Sequence, residues 1–377
     1  MSASVLSPVL RRQTAVLRWR KAVSRQNSKL KYMKRRDLLK SMATLPFLAQ
    51  SVLSENRSFS NNKKLIKPKR LSKGDTVAVI APSSGISPEE FDKALKNMVD
   101  LGFKTKVGKS ARNIKGFLAG TDKERLDDLH QAFADKEVNA VWCVRGGYGA
   151  SRFLPDLDFN LIRKNPKVFI GYSDITALHT AIYQNCGLVT FHGPVAASTY
   201  SDYAKKHVVN VLMNPSASYK IELSPDNIAK ESNLFKTETI TKGKCRGKLI
   251  GGNLSLLTAM AGTPSGLRNT KGKILFTEDV GEQPYRIDRM LTQLRQSIDL
   301  RQLAGIALGV FEDCNPKDPN SQSLIEVIKD RLGDLKIPVI YGLSFGHIRD
   351  QFTLPIGIEA ELDTENATMT FLETSVI

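Results

Sequence analysis

The chain has 377 residues, 41% of them hydrophobic and 25% charged, which is enough for two domains with buried cores and ordinary for a soluble protein. Its formal net charge is +17, but most of this charge lies in the first 70 residues, which hold 18 of the 55 Lys and Arg and 2 of the 38 Asp and Glu. Residues 71–377 hold the other 37 basic residues and the other 36 acidic residues. Because the globular part is nearly neutral, it lacks the basic surface of a nucleic-acid-binding protein, and that class is the least favoured.

The basic tail has the pattern of an export signal. Arg35 and Arg36 form an Arg-Arg pair in a basic start, and a modestly apolar run follows from Ser41 to Leu53. This run is too short to span a bilayer and is typical of the apolar part of a secretory signal. We therefore expect a twin-arginine signal peptide over residues 33–54, an exported and periplasmic protein, and no stable membrane span. A solvated basic helix or a membrane anchor is the alternative.

The segments on either side of this signal differ from it in composition. Residues 1–32 form a basic extension with eight Lys or Arg and no acidic residue. Met33 would serve as a start, in which case the extension is not translated; an organellar transit peptide is the less favoured interpretation. Residues 55–70 are polar and basic and predict a linker.

Apolar runs alternate with amphipathic segments between residues 71 and 200. The strand pattern occurs in TVAVIAPSS, NAVWCV, VFIGY and LVTFHGP. The helical spacing occurs in SPEEFDKALKNMVDLGF, TDKERLDDLHQAFAD and SDITALHTAIYQNCG. Strands that alternate with helices predict an N-terminal α/β domain over residues 71–200, a flavodoxin-like parallel sheet with helices on both faces.

The pattern changes twice after residue 200. Residues 201–243 are polar and contain several Lys and Ser, which indicates a crossing between domains. Residues 244–377 contain the apolar runs KILFTEDVGE and IALGVFEDC, two helical segments and a β-rich end. They predict a second, smaller α/β domain.

The four cysteines are widely spaced, at Cys143, Cys186, Cys245 and Cys314. No CxxC pair occurs, and no Cys and His have the spacing of zinc ligands. We expect buried free thiols without chemistry, although an exported protein can form disulfides. No cofactor or metal is predicted.

The stretch VFIGYSDITALH places Ser173 where a strand meets a helix. A serine at the tip of such a turn points out above the sheet edge, and the helix N-terminus offers positive potential to a developing oxyanion. A nucleophile elbow has this arrangement, but the GxSxG motif is absent. Taken alone, the pattern favours Ser173 as a helix cap.

The stretch RGGYGAS, from Arg145 to Ser151, is a glycine loop that follows a strand. Paired glycines let backbone N–H groups approach a ligand closely. The loop could hold a phosphate, donate to an oxyanion or simply turn the chain. It lacks the GK[ST] of a P-loop and does not match GxGxxG.

An acid and a histidine follow later in the chain. Glu278 ends an apolar strand, at the edge where sites form in parallel sheets, and its neighbours Asp279 and Glu282 are either solvated or paired with arginines. His347 follows Gly346 between a strand and a loop, and His192 in TFHGP is its rival. The order Ser, Glu, His matches a nucleophile, an orienting acid and a base.

Four stretches together resemble one family. VRGGYGASR, GYSDITALH, LFTEDVGEQPYRIDRML and GLSFGHIRDQFTLPIG are similar to motifs of the LD-carboxypeptidases, the muramoyltetrapeptide carboxypeptidase family of serine peptidases, which also includes a microcin-immunity amidase. The resemblance covers residues 71–377. It implies Ser173 as nucleophile, Glu278 as the acid and His347 as general base.

The resemblance also implies how charge is stabilised. The backbone N–H groups of Gly146, Gly147 and Asp174 would form the oxyanion hole. An exopeptidase must bind the terminal carboxylate of its substrate, and an arginine in the cleft suits that task. The candidates are Arg145, Arg286 and Arg349.

The resemblance implies release of the terminal D-alanine from a murein tetrapeptide, by a homodimer. The active site would lie between the two domains, because Ser173 is in the first and Glu278 and His347 are in the second. Two alternatives remain. The same chemistry could act on another peptide or on a peptide–nucleotide antibiotic. Alternatively, a non-catalytic protein could bind an anion or a peptide at the glycine loop, with Ser173 as a cap.

Overall fold

The computed structural model of the protein describes residues 64–377. The predicted extension over residues 1–32, the predicted signal over residues 33–54 and most of the predicted linker lie outside this range. Among residues 64–377, no helix is long and apolar enough to cross a bilayer.

The first domain is built on a six-stranded sheet in the order β12-β5-β4-β3-β1-β2. All neighbouring pairs are parallel except β12 and β5, which are antiparallel. The inner strands are completely buried because helices cover both faces. The six strands are β1 (Thr76–Ile80), β2 (Lys104–Val107), β3 (Ala140–Cys143), β4 (Val168–Gly171), β5 (Thr190–His192) and β12 (Leu354–Ile356).

Alternate residues of β1 show how the two faces are covered. Val77 and Val79 pack with the first and fifth helices, and Ala78 and Ile80 pack with the second, third and fourth. The predicted parallel α/β domain is therefore confirmed. The helices are α1 (Pro88–Asp100), α2 (Asp122–Ala134), α3 (Phe159–Lys164), α4 (Thr176–Cys186) and α5 (Asp202–Leu212).

Local sequence fixes where the first two helices begin. Ser87 and Glu90 form a capping box at the start of α1, and Thr121 and Glu124 form another at the start of α2. Each box satisfies backbone N–H groups that the first helical turn leaves free, so both helices begin where the capping pattern predicts.

The second domain is built on an eight-stranded sheet in the order β6-β14-β13-β8-β9-β10-β11-β7. Its centre, from β8 to β11, is parallel, and both flanks are antiparallel. The strands are β6 (Tyr219–Ile221), β7 (Glu238–Thr241), β8 (Lys244–Asn253), β9 (Ile274–Glu278), β10 (Gly305–Val310), β11 (Val339–Gly346), β13 (Glu359–Asp363) and β14 (Thr368–Phe371). The helices are α6 (Pro225–Ile228), α7 (Leu254–Ala259), α8 (Pro284–Ser297) and α9 (Leu324–Leu332).

The chain crosses between the sheets more than once. The crossing predicted over residues 201–243 holds β6 and β7, which form the two edges of the second sheet. After β11 the chain returns to the first sheet as β12 and then ends in the second as β13 and β14. Both sheets therefore contain strands that are distant from one another in sequence.

None of the four cysteines, all of which lie within residues 64–377, forms a disulfide. Cys143, Cys186 and Cys314 are buried, and Cys245 is half-buried. Burial raises the pKa of the Cys245 thiol to about 11 and that of Cys314 to about 12. Both thiols are therefore protonated and unreactive at neutral pH.

Candidate active site

Ser173 lies at a strained turn directly after β4. Its φ is 65°, in the left-handed region that a side chain with a Cβ adopts only under constraint. A single turn of 3-10 helix, Ser173–Ile175, leads into α4. Ser173 is the first residue of this turn and Tyr172 holds the N-cap position, so the cap interpretation is wrong. The geometry is that of an elbow that projects a hydroxyl from the sheet edge.

Glu278 and His347 form a hydrogen-bonded pair in the second domain. The distance between His347 Nδ1 and Glu278 Oε2 is 2.6 Å, and the Glu278 side chain is completely buried. Because a carboxylate can only accept, Nδ1 carries the proton and Nε2 is left to accept another one. This is the arrangement of a general base held by an acid.

The pair shifts the pKa of both members. Burial lowers the pKa of His347, but the neighbouring acids together outweigh burial, and the net pKa lies above 6.5. Glu278 makes the largest contribution to this rise, and Asp279 and Glu312 add smaller ones. Burial raises the pKa of Glu278, but the polar neighbours, His347 foremost, outweigh burial, and the net pKa lies below 4.5. Glu278 is therefore ionised at neutral pH and stabilises an imidazolium when His347 accepts a proton.

The ring of Tyr172 brings the two domains together at this point. Its centroid lies 4.8 Å from that of His347 in an edge-on contact, so the histidine packs against the residue that precedes Ser173. The elbow and the Glu278–His347 pair therefore belong to one site. Within the second sheet, β9 and β11 run parallel on either side of β10, which brings Glu278 and His347 to the same edge.

His192, the rival histidine, lies deeper in the same region. It contacts Tyr172 and Phe276, and neither of its ring nitrogens has a hydrogen-bond partner in residues 64–377. Burial lowers its pKa to about 4. His192 stays neutral and has no hydrogen-bonded acid to orient it, so the geometry favours His347 as the base.

The glycine loop lies against the elbow. A Cβ added at Gly146 would lie 2.8 Å from Ser173 Cβ and 3.1 Å from Ser173 Oγ, so only glycine fits there. Gly147 has a φ of 103°. Within residues 64–377, the N–H groups of Gly146, Gly147 and Asp174 donate to no backbone or side-chain acceptor. They are thus available to an oxyanion.

The three candidate arginines differ in their surroundings. Arg286 is exposed and is held by Glu282 and by the hydroxyl of Tyr285, 3.2 Å away. Arg349 is exposed, with no hydrogen bond or ion pair to another described residue. Arg145 is half-buried beside the glycine loop, with one long hydrogen bond of 3.5 Å to the carbonyl of Gly85.

The surroundings of Asp279 differ from the sequence-based expectation. It is buried rather than solvated, and it accepts hydrogen bonds from Asn253 Nδ2 and from the backbone and hydroxyl of Ser255. Burial raises its pKa to about 6. Asn253 N–H in turn donates to Thr176 Oγ1 at the start of α4. The pairing of Asp279 with Asn253, distant in sequence, had no signal in the spacing of acids.

Replacing Gly146 with alanine is expected to lower kcat by about a hundredfold, comparable to the loss of one oxyanion donor. The new methyl group would overlap Ser173 and the carbonyl of Tyr172, so the loop must move away from the elbow. Steady-state kinetics check this result. A Gly333→Ala variant is the control, because Gly333 has a φ of −69° and the added methyl group would meet only Ile240 Cγ2, at 4.0 Å. Equal kcat values for the two variants would contradict the close approach.

Within residues 64–377, no three His, Cys, Asp or Glu side chains are grouped as metal ligands.

Two family models match the chain, the LD-carboxypeptidase N-terminal domain over residues 77–193 and the LD-carboxypeptidase C-terminal domain over residues 246–362. The sequence is similar to that of a Bacillus subtilis protein named "Probable murein peptide carboxypeptidase", with 45% identity over 303 residues, 80% of this chain and 93% of the relative.

Solved structures of the same family resemble the fold. Muramoyltetrapeptide carboxypeptidase from Oxalobacter formigenes matches with a TM-score of 0.68 and 31% identity, over 78% of this chain and 97% of that one. MccF in complex with glutamyl sulfamoyl guanosine matches with a TM-score of 0.75 and 25% identity, over 82% of this chain and 99% of that one. With both domain models matched in order over more than half its length, the chain belongs to the LD-carboxypeptidase family.

Proposed function

We propose that the protein is a serine carboxypeptidase that releases the terminal D-alanine from murein tetrapeptides. The observation that carries the proposal is the 2.6 Å hydrogen bond between Glu278 and His347 beside the strained elbow of Ser173. The names of two similar proteins, a murein peptide carboxypeptidase and a muramoyltetrapeptide carboxypeptidase, support the substrate class.

The proposed mechanism proceeds through an acyl-enzyme. His347 Nε2 removes the proton of Ser173 Oγ as this oxygen attacks the peptide carbonyl, and Glu278 stabilises the imidazolium. The N–H groups of Gly146, Gly147 and Asp174 would hold the oxyanion. His347 then protonates the leaving amine of D-alanine. A water molecule, activated by the same histidine, hydrolyses the ester and restores Ser173.

Arg145 is our choice for the cation that binds the terminal carboxylate. It lies next to Gly146, and its guanidinium is only weakly engaged by the protein. We expect Arg145→Ala to raise KM by about tenfold to a hundredfold, the value of a charged hydrogen bond, with a smaller change in kcat. Arg286→Ala is the matched control, since Glu282 and Tyr285 already occupy that side chain.

A substrate with a C-terminal amide in place of the carboxylate also tests whether Arg145 binds the terminal carboxylate. It lacks the charge that Arg145 would bind, so Arg145→Ala should change its KM little. A large rise in KM with Arg286→Ala and none with Arg145→Ala would assign the carboxylate to the other arginine. Arg349→Ala belongs in the same series because its side chain is also uncommitted.

The second candidate function is cleavage of an amide in a peptide–nucleotide compound. The resemblance to MccF, solved with glutamyl sulfamoyl guanosine, favours it. Values of kcat/KM for a murein tetrapeptide and for an aminoacyl sulfamoyl nucleoside, measured with one preparation, separate the two functions. A higher value for the tetrapeptide supports the carboxypeptidase, and the reverse order supports the amidase.

We propose in addition that the protein is exported through a twin-arginine signal over residues 33–54 to the periplasm, and that it acts as a homodimer. The Arg35-Arg36 pair and the short apolar run support export. Cell fractionation tests the compartment, and recovery with cytoplasmic markers alone would contradict it. Analytical ultracentrifugation tests the dimer, and a single monomeric species at micromolar concentration would contradict that.

A further inference from the structure

The Asp174 side chain joins the nucleophile turn to two neighbouring loops. It is 1% exposed, and its Oδ2 accepts hydrogen bonds from Ser83 Oγ at 2.6 Å and from the Ala150 N–H at 2.8 Å. Ser83 lies in the loop after β1, and Ala150 closes the glycine loop. A single carboxylate oxygen thus connects three segments that surround Ser173.

A buried arginine holds the same loops from a second direction. Arg125 is completely buried, and its Nη1 donates to the carbonyls of Pro82 and Gly149, the latter at 2.9 Å. Its Nη2 donates to Asp122. Burial raises the pKa of the Asp174 carboxyl, and its hydrogen bonds and the positive charge of Arg125 oppose that shift. Removal of the Asp174 carboxylate would therefore leave two buried donors, Ser83 Oγ and the Ala150 N–H, without their acceptor.

Two further hydrogen bonds make the anchored loops a unit. Ser84 Oγ accepts a hydrogen bond from the Tyr148 N–H at 3.0 Å, and the Ser84 N–H donates to the Gly146 carbonyl at 3.3 Å. The position of Ser83–Ser84 therefore sets the position of the glycine loop. The free N–H groups of that loop are the ones proposed to bind the oxyanion.

We propose that the Asp174 carboxylate is a positioning residue for the oxyanion hole, which fixes the Gly146 and Gly147 amides at the distance from Ser173 Oγ that the transition state needs. The inference rests on the proposed serine mechanism. It is separate from the contribution of the Asp174 backbone, because any residue other than proline at position 174 keeps its own N–H. The side chain can therefore be tested with that donor intact.

Asp174→Ala is expected to lower kcat by about a hundredfold and to change KM by less than about threefold, because an oxyanion donor acts in the transition state. Asp128→Ala is the matched control in the full chain. Asp128 is a buried carboxylate of the same domain that accepts hydrogen bonds from Lys109 N–H, Ser110 N–H and Ser110 Oγ. Its removal should lower thermal stability and leave kcat within about threefold of the wild type.

Asp174→Asn is the conservative variant. Its amide oxygen can still accept a hydrogen bond from the Ala150 N–H, so its kcat should be about tenfold higher than that of Asp174→Ala. If Asp174→Ala does not fold, the kcat values of Asp174→Asn and Ser83→Ala test the proposal instead. If Asp174→Ala loses stability like Asp128→Ala but keeps its kcat, Asp174 is only structural and the proposal is overturned.

The rate of fluorophosphonate labelling at Ser173 gives a readout that needs no murein substrate. The phosphoryl oxygen of the probe occupies the oxyanion position, so labelling of Asp174→Ala should slow by about tenfold or more. If the wild type labels but does not hydrolyse tetrapeptide, the proposed substrate is wrong and the labelling rates alone decide the role of Asp174. Equal rates, or a crystal structure of Asp174→Ala with the Gly146 and Gly147 amides unmoved, would overturn it.

Discussion

Replacement of Ser173 by alanine is expected to lower kcat for D-alanine release by about a millionfold, the effect of removing the nucleophile from a serine peptidase. Alanine has the same Cβ, so the strain at φ 65° persists and the fold should be retained. The variant should also fail to react with a fluorophosphonate. Kinetics, labelling and thermal denaturation check these three points together.

Ser110→Ala is a suitable control for the loss of a hydroxyl in the same domain. Ser110 hydrogen-bonds Asp128, away from the elbow, so this variant should lose some stability but keep its turnover. Normal turnover by Ser173→Ala would remove Ser173 from the mechanism. Loss of turnover accompanied by unfolding of Ser173→Ala would leave a structural role for the serine and would also contradict our account.

Glu278→Gln is expected to lower kcat by about a thousandfold to ten-thousandfold, as loss of the orienting acid does in other serine hydrolases. Glutamine keeps the size of the side chain but can no longer stabilise an imidazolium. Its amide can also donate to Nδ1, which favours the wrong tautomer of His347. The loss should appear in kcat rather than in KM, and steady-state kinetics measure it.

The pH profile tests the same pair independently. The base must be neutral, and the pKa of His347 lies above 6.5, so kcat/KM of the wild type should rise with pH through an apparent pKa above that value. Glu278→Gln removes the negative charge that raises this pKa, and burial alone lowers it. The acid limb should therefore move to lower pH in the variant.

Asp279→Asn is the control for a buried acid next to Glu278. Asp279 bonds Asn253 and Ser255 rather than the histidine, so its loss should cost about 1–3 kcal/mol of stability with a much smaller effect on kcat. Its charge raises the pKa of His347 less than Glu278 does, so the acid limb should move less than in Glu278→Gln. An acid limb that stays in place in Glu278→Gln, or moves to higher pH, would show that this glutamate does not control the base.

Much of the first domain could be predicted from sequence because its signals are local. The capping boxes at Ser87 and Thr121 and the buried run of β1 each specify one element without help from distant residues. The edge strands β6, β7 and β12 could not be found this way. They have three or four residues each, too few to establish a period of two, and their pairing partners are far away in sequence.

The site was predictable in its chemistry but not in its geometry. The order of Ser173, Glu278 and His347 along the chain, with the family resemblance, named the residues. Only the fold shows the left-handed turn at Ser173 and the hydrogen bond that distinguishes His347 from His192. Each histidine stands at the end of a strand, His192 as the last residue of β5 and His347 directly after β11, so the strand pattern alone could not separate them. The burial and the hydrogen-bond partners of the two histidines separate them, and both depend on how the sheets assemble.

The most direct test of the central claim is incubation of the purified protein with a murein tetrapeptide, followed by mass spectrometry of the products, with Ser173→Ala in parallel. Our account predicts that the wild type releases one D-alanine and leaves a tripeptide, and that the variant leaves the tetrapeptide unchanged. An intact tetrapeptide in the wild-type reaction, or a tripeptide in both reactions, would contradict it.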